Sequence, residues 1–189
     1  MRLILASQSP RRRQLLTEAG YEFSVIPPDD SAESGICSGE TAKEMVARLG
    51  QQKAANVAAN IDEGVVLGCD TLAECCGQIL GKPRDQDHAE QMLRLLRGRE
   101  HYVHSGICLW RRPDDRVLVA TDTTTLFMNE ISDQELQEYL AGDLWIGKAG
   151  AFGLQDRTGW MEIRSGSESN VVGLPMELLK RMLQAITND

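Results

Sequence analysis

The stretch Arg2–Arg13, RLILASQSPRRR, decides the fold class because it changes from strand to helix within a few residues. Its apolar start, Arg2–Ala6, is typical of a short buried strand. Ser9 is a suitable N-cap, and the proline that follows is a suitable first helical residue, so a helix is predicted over Pro10–Ala19. A strand that leads through a tight turn into a helix indicates an α/β fold.

The rest of the chain alternates in the same way. Capping boxes open two further predicted helices, at Thr41 with Glu44 and at Ser132 with Glu135. The predicted helices are Thr41–Asn60, Asp85–Arg97, Ser132–Ala141 and Pro175–Ile186. The predicted strands are Phe23–Ile26, Val65–Cys69, Gln78–Leu80, Glu100–Trp110, Arg116–Met128 and Trp160–Arg164. This order predicts a mixed twisted sheet flanked by helices, in one domain over residues 1–189.

Composition narrows the class of protein. The 189 residues carry a formal net charge of −8, and 42% of them are apolar. No apolar run has the length of a membrane span, and the apolar start precedes its arginines, the reverse of a secretory signal. We therefore expect a cytoplasmic protein with no membrane partner and no general affinity for nucleic acid. A polyanionic ligand would need positive charge that is concentrated locally.

The cysteines predict free thiols rather than disulfides or a zinc site. Their number is odd, two of them are adjacent, and no pair has zinc-knuckle spacing. They are Cys37, Cys69, Cys75, Cys76 and Cys108.

Three arginines, Arg11, Arg12 and Arg13, occupy the first turn of the first predicted helix. A helix N-terminus already carries partial positive charge, so these arginines should cost stability there. Sequences that break a local rule in this way often mark functional sites. This concentration of positive charge would favour a bound phosphate group, held by backbone N–H groups and by the guanidinium groups. The alternative is a solvated basic end whose arginines pair elsewhere.

Asp70 directly follows the apolar run Val65–Cys69, and Thr71 adds a hydroxyl. Ligands of α/β proteins bind at the carboxyl ends of strands. A carboxylate there would ligate a metal or take a proton from water, although it would equally cap a turn.

An acidic loop offers a second carboxylate. Glu33 and Glu40 flank a stretch that also contains Asp29 and Asp30. Mg²⁺ takes few carboxylates and completes its shell with substrate phosphates, so one of these acids would share it with Asp70. The alternative is a solvated loop, and the sequence does not choose between these acids.

Two lysines and a glycine-rich stretch complete the candidate site. Lys53 lies on the second predicted helix and Lys82 follows the strand Gln78–Leu80; they would supply cations to a triphosphate or lie on the surface. Within Gly147–Gln155, the glycines would let backbone approach a ligand, and the amide of Gln155 would read a base edge. A tight turn between core elements is the alternative. No serine lies in a nucleophile elbow, which favours direct attack by water over a covalent intermediate.

Five ordered motifs resemble the Maf family of nucleotide pyrophosphatases over essentially the whole chain. They are Leu5-Ala6-Ser7-Gln8-Ser9-Pro10-Arg11-Arg12, Leu67-Gly68-Cys69-Asp70-Thr71, Leu80-Gly81-Lys82-Pro83, Lys148-Ala149-Gly150-Ala151-Phe152-Gly153-Leu154-Gln155 and Asn170-Val171-Val172-Gly173-Leu174-Pro175. The resemblance implies an inosine-triphosphatase-like α/β fold with two lobes around a cleft, often dimeric. It also implies hydrolysis of nucleoside triphosphates with a divalent metal, Mg²⁺ or Mn²⁺, and release of pyrophosphate.

The resemblance also assigns roles to residues. Asp70 matches the family's proton acceptor, and Glu33 aligns with its acidic partner at the metal. Ser7, Arg11 and Arg12 match the phosphate-binding loop, and Lys53 and Lys82 match the family's lysines. Three positions, Arg12, Thr71 and Gln155, match those tied to substrate choice in the dTTP and UTP branch. Four positions depart from the pattern: Gly50 replaces an alanine, Gly147 replaces an aspartate, Asp156 replaces a glycine, and Glu168 stands where an aromatic residue is common.

Three alternative functions differ from this one in their substrate, their turnover or their products. The sister branch of the family acts on 7-methyl-GTP and differs at the substrate-choice positions. A non-catalytic nucleotide sensor that regulates cell division would bind triphosphates without turnover. A phosphatase that removes the terminal phosphate would release orthophosphate and the diphosphate.

Overall fold

A computed structural model of the chain describes residues 2–29, 32, 37, 39–156 and 159–188. The strands are β1 (Leu3–Ala6), β2 (Phe23–Val25), β3 (Gly64–Cys75), β4 (Gln78–Leu80), β5 (Arg99–Arg112), β6 (Arg116–Met128) and β7 (Met161–Ser165). The helices are α1 (Pro10–Glu18), α2 (Ala42–Ala58), α3 (Gln86–Leu96), α4 (Asp133–Leu140), α5 (Glu168–Val172) and α6 (Met176–Thr187). Each predicted strand and helix is present. β4 and β6 have the predicted bounds, and the ends of the others shift by one or two residues, except for the end of β3. The predicted capping boxes at Thr41 and Ser132 both form.

Seven strands of the described chain form one sheet in the order β2-β1-β3-β5-β6-β7, with β4 paired to β3. β1 runs parallel to both β2 and β3, whereas β3 with β4 and β6 with β7 are antiparallel. The predicted mixed sheet is therefore confirmed. The parallel register of β1 on β3 ends with Ala6 opposite Gly68, so Ser7 and Asp70 both lie just beyond it.

The chain divides into two compact units. The first comprises residues 1–71, 105–122 and 173–189, and both faces of its strands are covered. On one face Leu67 belongs to an apolar cluster with Leu16 of α1 and Leu179 of α6. On the other face Val66 belongs to a cluster with Ala54 of α2. Burial on both sides explains why β1 and the start of β3 are continuous apolar runs.

The second unit comprises residues 72–104 and 123–172 and has its own core. Leu93 of α3 and Leu136 of α4 are fully buried in it. Next to them lie three aromatic side chains, Tyr139, Phe152 and Trp160, whose ring centroids are 5.3–5.5 Å apart. Aromatic clusters of this size bury much apolar area and hold the adjoining loops.

The predicted end of β3 at Cys69 is wrong. The strand continues to Cys75 because its second half pairs with β4, with Ala73 opposite Leu80, and because Ala73 and Cys75 are buried. Asp70 is therefore inside a strand rather than capping its end. It still lies beyond the last residue pair with β1, so it remains at the carboxyl edge of that strand.

Helix α5 was not predicted, because tertiary contacts rather than periodicity stabilise it. Its five residues include Asn170, which is fully buried. The Asn170 amide donates hydrogen bonds to the carbonyl of Val103 at 3.0 Å and to the hydroxyl of Thr124 at 2.9 Å. Such distant partners leave no local signal in the sequence.

Candidate active site

Three glycines let helix α2 lie directly on the strands of the first unit. A Cβ atom added to Gly68 would lie 2.1 Å from the carbonyl oxygen of Gly50, and one added to Gly106 would lie 2.2 Å from that of Val46. Neither position has room for a side chain. The helix backbone therefore approaches β3 and β5 more closely than any larger residue would allow. This contact determines where the next turn of α2 places its side chains.

Lys53, one turn after Gly50 on α2, reaches Asp70 on β3. Successive strand residues point to opposite faces, so Gly68 and Asp70 share the face that α2 covers. The Nζ of Lys53 lies 2.6 Å from Oδ1 of Asp70. The two side chains are only 7% and 13% exposed, so their opposite charges offset each other in a mostly buried setting. The structure thus brings together two residues predicted for the site.

Arg12 is buried, with only 8% of its surface exposed. Its Nε donates to the carbonyl of Gly173 at 2.9 Å, and its two terminal nitrogens donate to the hydroxyls of Ser7 at 3.0 Å and Thr71 at 3.2 Å. Ser9 caps helix α1 as predicted, with its hydroxyl accepting from the Arg12 N–H. Arg12 therefore belongs to a network of residues distant in sequence.

The partners of Arg12 are all neutral. Among the described residues no carboxylate pairs with it, although buried charges are normally paired. A buried guanidinium with neutral acceptors is suited to an anionic ligand. The alternative interpretation of the sequence, a solvated basic helix end, is therefore wrong for Arg12. Arg11 is half-buried and makes no hydrogen bond or ion pair with the described residues, and Arg13 is exposed.

Two partners of this network were not singled out from the sequence. The Ser105 hydroxyl shares a hydrogen bond of 2.8 Å with the hydroxyl of Thr71, and the Gly173 carbonyl lies 3.1 Å from that same hydroxyl. Gly173 stands within one of the five quoted motifs, which was the only signal for it. Ser105 lies within a predicted strand, where a single serine carries no signal.

Asp70 and Thr71 are consecutive residues of β3, so their side chains leave opposite faces of the sheet. Lys53 meets Asp70 on the face of α2, whereas Arg12 meets Thr71 on the face of α1. Both contacts lie beyond the last residue pair of β1 with β3. The carboxylate and the guanidinium therefore flank one strand edge, rather than sharing one face.

The acidic loop is only partly described. Glu33 and Asp30 lie outside the described residues. Glu40 forms a bidentate ion pair with Arg48 through two hydrogen bonds of 2.7 Å each. These hydrogen bonds lower the pKa of the Glu40 carboxyl. Asp29 accepts a hydrogen bond from Asn56 at 3.2 Å. Within the described part of the chain, no group of three or more His, Cys, Asp or Glu side chains is arranged to hold a metal ion.

Lys82 and Gln155 belong to the second unit. Lys82 is exposed in the loop after β4 and makes no hydrogen bond or ion pair with the described residues. Gln155 lies in a short 3₁₀ turn, Leu154–Asp156, and the structure describes the backbone of this residue. A second such turn, Ala149–Ala151, contains Gly150 at a φ of 69°, and the Gly150 N–H donates to the carbonyl of Gly81 at 3.1 Å. The glycine-rich stretch is thus a pair of tight turns, one of them joined to the residue before Lys82.

Comparison with known proteins gives the family of this chain. A family model described as "Maf-like protein" matches residues 2–186. The chain belongs to the Maf family. A protein of Rhodopirellula baltica named dTTP/UTP pyrophosphatase is 60% identical over 183 residues, which cover 96% of this chain and 81% of that protein. A protein of the same name from Geotalea uraniireducens is 39% identical, over 95% of this chain and 94% of its own length.

Solved structures support the fold of this Maf chain. A Ham1 protein of Staphylococcus aureus aligns with a TM-score of 0.56 at 14% identity, over 98% of this chain and 99% of its own. A HAM1 protein of Coxiella burnetii gives a TM-score of 0.55 at 15% identity, with coverages of 98% and 99%. These similarities confirm the predicted inosine-triphosphatase-like α/β class. None of the described helices has the length and apolar character to cross a membrane.

Proposed function

We propose that this Maf chain hydrolyses dTTP and UTP to the nucleoside monophosphate and pyrophosphate. Relatives that share up to 60% of its residues carry that name. The structural observation that supports the proposal most directly is Arg12, a buried cation with neutral partners, beside a strand edge that also carries Asp70.

Arg12 is the main phosphate ligand in this proposal. Three of the five N–H groups of a guanidinium are engaged by Gly173, Ser7 and Thr71, which hold its plane in one orientation. The remaining groups of the fork bind phosphate oxygens, together with the N-terminus of α1. Arg11 adds a second guanidinium from the same turn. Ser7 orients Arg12 and lies close enough to α1 to contact the same phosphate.

Asp70 acts as the proton acceptor for the attacking water. The water oxygen forms a bond to the α-phosphorus, the bond from that phosphorus to the bridging oxygen breaks, and pyrophosphate leaves. Asp70 takes the proton of the water. Lys53, 2.6 Å from Asp70, holds the carboxylate in place and offsets negative charge of the triphosphate.

A divalent cation, Mg²⁺ or Mn²⁺, fits this donor set. Such ions are bound by one or two carboxylates together with substrate phosphates, so Asp70, with Glu33 as its expected partner, would suffice. When bound, the cation would neutralise phosphate charge and favour the departure of pyrophosphate. Lys82 contributes a cation toward the leaving group, and Gln155 contacts the base, as the family resemblance implies.

A product assay tests the proposal. Purified protein is incubated with Mg²⁺ and, separately, with UTP, dTTP, CTP and 7-methyl-GTP, and pyrophosphate and orthophosphate are measured. Pyrophosphate release that is fastest with UTP or dTTP supports the proposal. Preference for 7-methyl-GTP would assign the sister branch, orthophosphate would assign a phosphatase, and tight binding without turnover would assign a sensor.

The metal is tested in the same assay. Protein treated with EDTA and then desalted should release no pyrophosphate from UTP. Added Mg²⁺ or Mn²⁺ should restore the rate, whereas NaCl at the same ionic strength should not. Unchanged turnover after chelation would contradict the cation's role and leave the assignment of Arg12 untouched.

A further inference from the structure

The carboxylate of Asp156 has three partners within the second unit, and no role in the site follows for it from the family resemblance. Its side chain is only 2% exposed. It forms an ion pair with Lys148 and accepts hydrogen bonds from the hydroxyl of Tyr139 at 2.8 Å and from the N–H of Gly153 at 3.0 Å. A buried carboxylate with three donors is held in one geometry.

These contacts close the turn that contains Gln155. The Asp156 N–H donates to the carbonyl of Gly153 at 3.0 Å, while the Gly153 N–H donates back to the Asp156 carboxylate. The reciprocal pair resembles a helix capping box and leaves the two residues between them little freedom. Gln155 lies between these two residues, so the network fixes the position of its backbone.

The same network reaches the loop of Lys82. Lys148, the ion-pair partner of Asp156, directly precedes the turn Ala149–Ala151, whose Gly150 N–H donates to the Gly81 carbonyl. Gly81 precedes Lys82 in the sequence. Asp156 and Lys148 therefore tie together two segments of one unit, and each segment carries a residue that the proposed function assigns to the substrate.

We propose that Asp156 is a positioning residue that sets the affinity of the site for the pyrimidine base by fixing Gln155 relative to the Lys82 loop. This inference rests on the proposed hydrolysis of dTTP and UTP. Asp156 does not touch the reacting atoms. A misplacement of the base-reading turn weakens binding of the substrate more than it slows the chemical step, because the proposed chemistry belongs to Asp70 and Lys53, which are not members of this network.

The first experiment compares the wild type with Asp156→Asn. Asparagine has the same shape but leaves the Lys148 ammonium buried without its charge partner. We expect the KM for UTP to rise about tenfold while kcat changes by less than about threefold. A matched control is Glu162→Gln, which removes one side of an exposed ion pair with Arg164 in the same unit and should leave both constants unchanged. A loss confined to kcat would overturn the proposal.

A double variant separates positioning from stability. Replacement of a buried ion pair by apolar residues of similar volume often preserves stability, so Lys148→Met with Asp156→Leu should retain a thermal midpoint near that of the wild type. It still lacks the acceptor for the Gly153 N–H. We expect the raised KM to persist. Recovery of the wild-type KM together with stability would mean that the pair is only structural.

Amide hydrogen exchange tests, without any substrate, whether Asp156 fixes the backbone around Gln155. Peptides that cover residues 148–156 and 79–84 should exchange faster in Asp156→Asn than in the wild type, with the core strands unchanged. Unchanged exchange in both peptides would overturn the positioning role, even for an active enzyme. A wild type that releases no pyrophosphate from UTP or dTTP would instead refute the proposed function, and with it the effect on base affinity.

Discussion

Lys53 and Asp70, 17 positions apart in the chain, meet through a contact of 2.6 Å that the glycines beneath helix α2 make possible. Gly68 lies two residues before Asp70 and Gly50 lies three before Lys53, and these two glycines touch backbone to backbone. The ion pair is therefore a consequence of how closely a helix approaches a sheet. Removal of one partner breaks an ion pair between mostly buried side chains, so both residues are sensitive positions.

Asp70→Asn should abolish pyrophosphate release from UTP while the nucleotide still binds. The amide keeps the shape of the carboxylate but cannot accept the proton of water, and we expect turnover to fall at least about a hundredfold. Turnover is measured as pyrophosphate and binding by calorimetry. Asp62→Asn, an exposed aspartate of the same unit, is the control. Full activity in Asp70→Asn would refute its role.

Arg12→Lys should raise the KM for the triphosphate about tenfold or more. A single ammonium group cannot reproduce a planar guanidinium whose orientation is fixed by three hydrogen bonds. It should also lower the free energy of unfolding by about 1–3 kcal/mol, because buried acceptors lose their donors. The measurements are steady-state kinetics and urea denaturation. Arg13→Lys, one position along at an exposed residue, should change neither quantity; equal effects at both positions would contradict the assignment.

Gly106→Ala should destabilise the first unit and reduce activity together. The added Cβ would lie 2.2 Å from the carbonyl oxygen of Val46, so α2 must move away and carry Lys53 from Asp70. Overpacking of this kind costs about 1–3 kcal/mol, which urea denaturation would detect. At Gly142 the nearest atom to an added Cβ is 3.7 Å away, so Gly142→Ala is the control. Wild-type stability in Gly106→Ala would contradict the close contact.

Two of the five cysteines should react quickly with a thiol reagent in the native protein at pH 8. All five are free; Cys37 and Cys76 are exposed, and the other three are buried. Burial raises the pKa of the Cys75 thiol to about 11 and that of Cys108 to about 12, so both stay protonated and unreactive at pH 8. Ellman's reagent would count the thiols before and after unfolding in urea.

Cys76→Ser serves as the control for this count. It should leave one fast thiol in the native state and four after unfolding. Rapid native reaction of three or more thiols in the wild type would show that the core opens readily around Cys69, Cys75 or Cys108.

The segments of the fold were predictable wherever a local rule applied. The capping boxes at Thr41 and Ser132, the N-cap at Ser9 and the alternation along Arg116–Met128 each gave correct elements, because caps and periodicity act within a few residues. The end of β3 and the helix Glu168–Val172 were missed. Pairing with β4 across a short turn extends β3, and hydrogen bonds to Val103 and Thr124, which are distant in sequence, hold the helix.

The candidate site divides in the same way. Asp70 stood out because it follows an apolar strand, where α/β proteins bind ligands. The arginines stood out because cations at a helix N-terminus conflict with local preference. The local pattern did not distinguish Arg12 from its neighbours, and only the family resemblance singled it out. Burial does so, because helix geometry turns Arg12 toward Ser7 and Thr71 and leaves Arg13 in solvent.

By itself the sequence determined the α/β class, the order of its elements and the chemical types of the site residues, since these depend on patterns of polarity and on motifs read along the chain. Only the tertiary structure decided which cation meets which oxygen: Lys53 with Asp70 across the glycine contact, and Arg12 with Ser7, Thr71 and Gly173. The physical reason is that such contacts depend on how closely a helix packs on a sheet, and that distance results from residues far apart in the chain acting together.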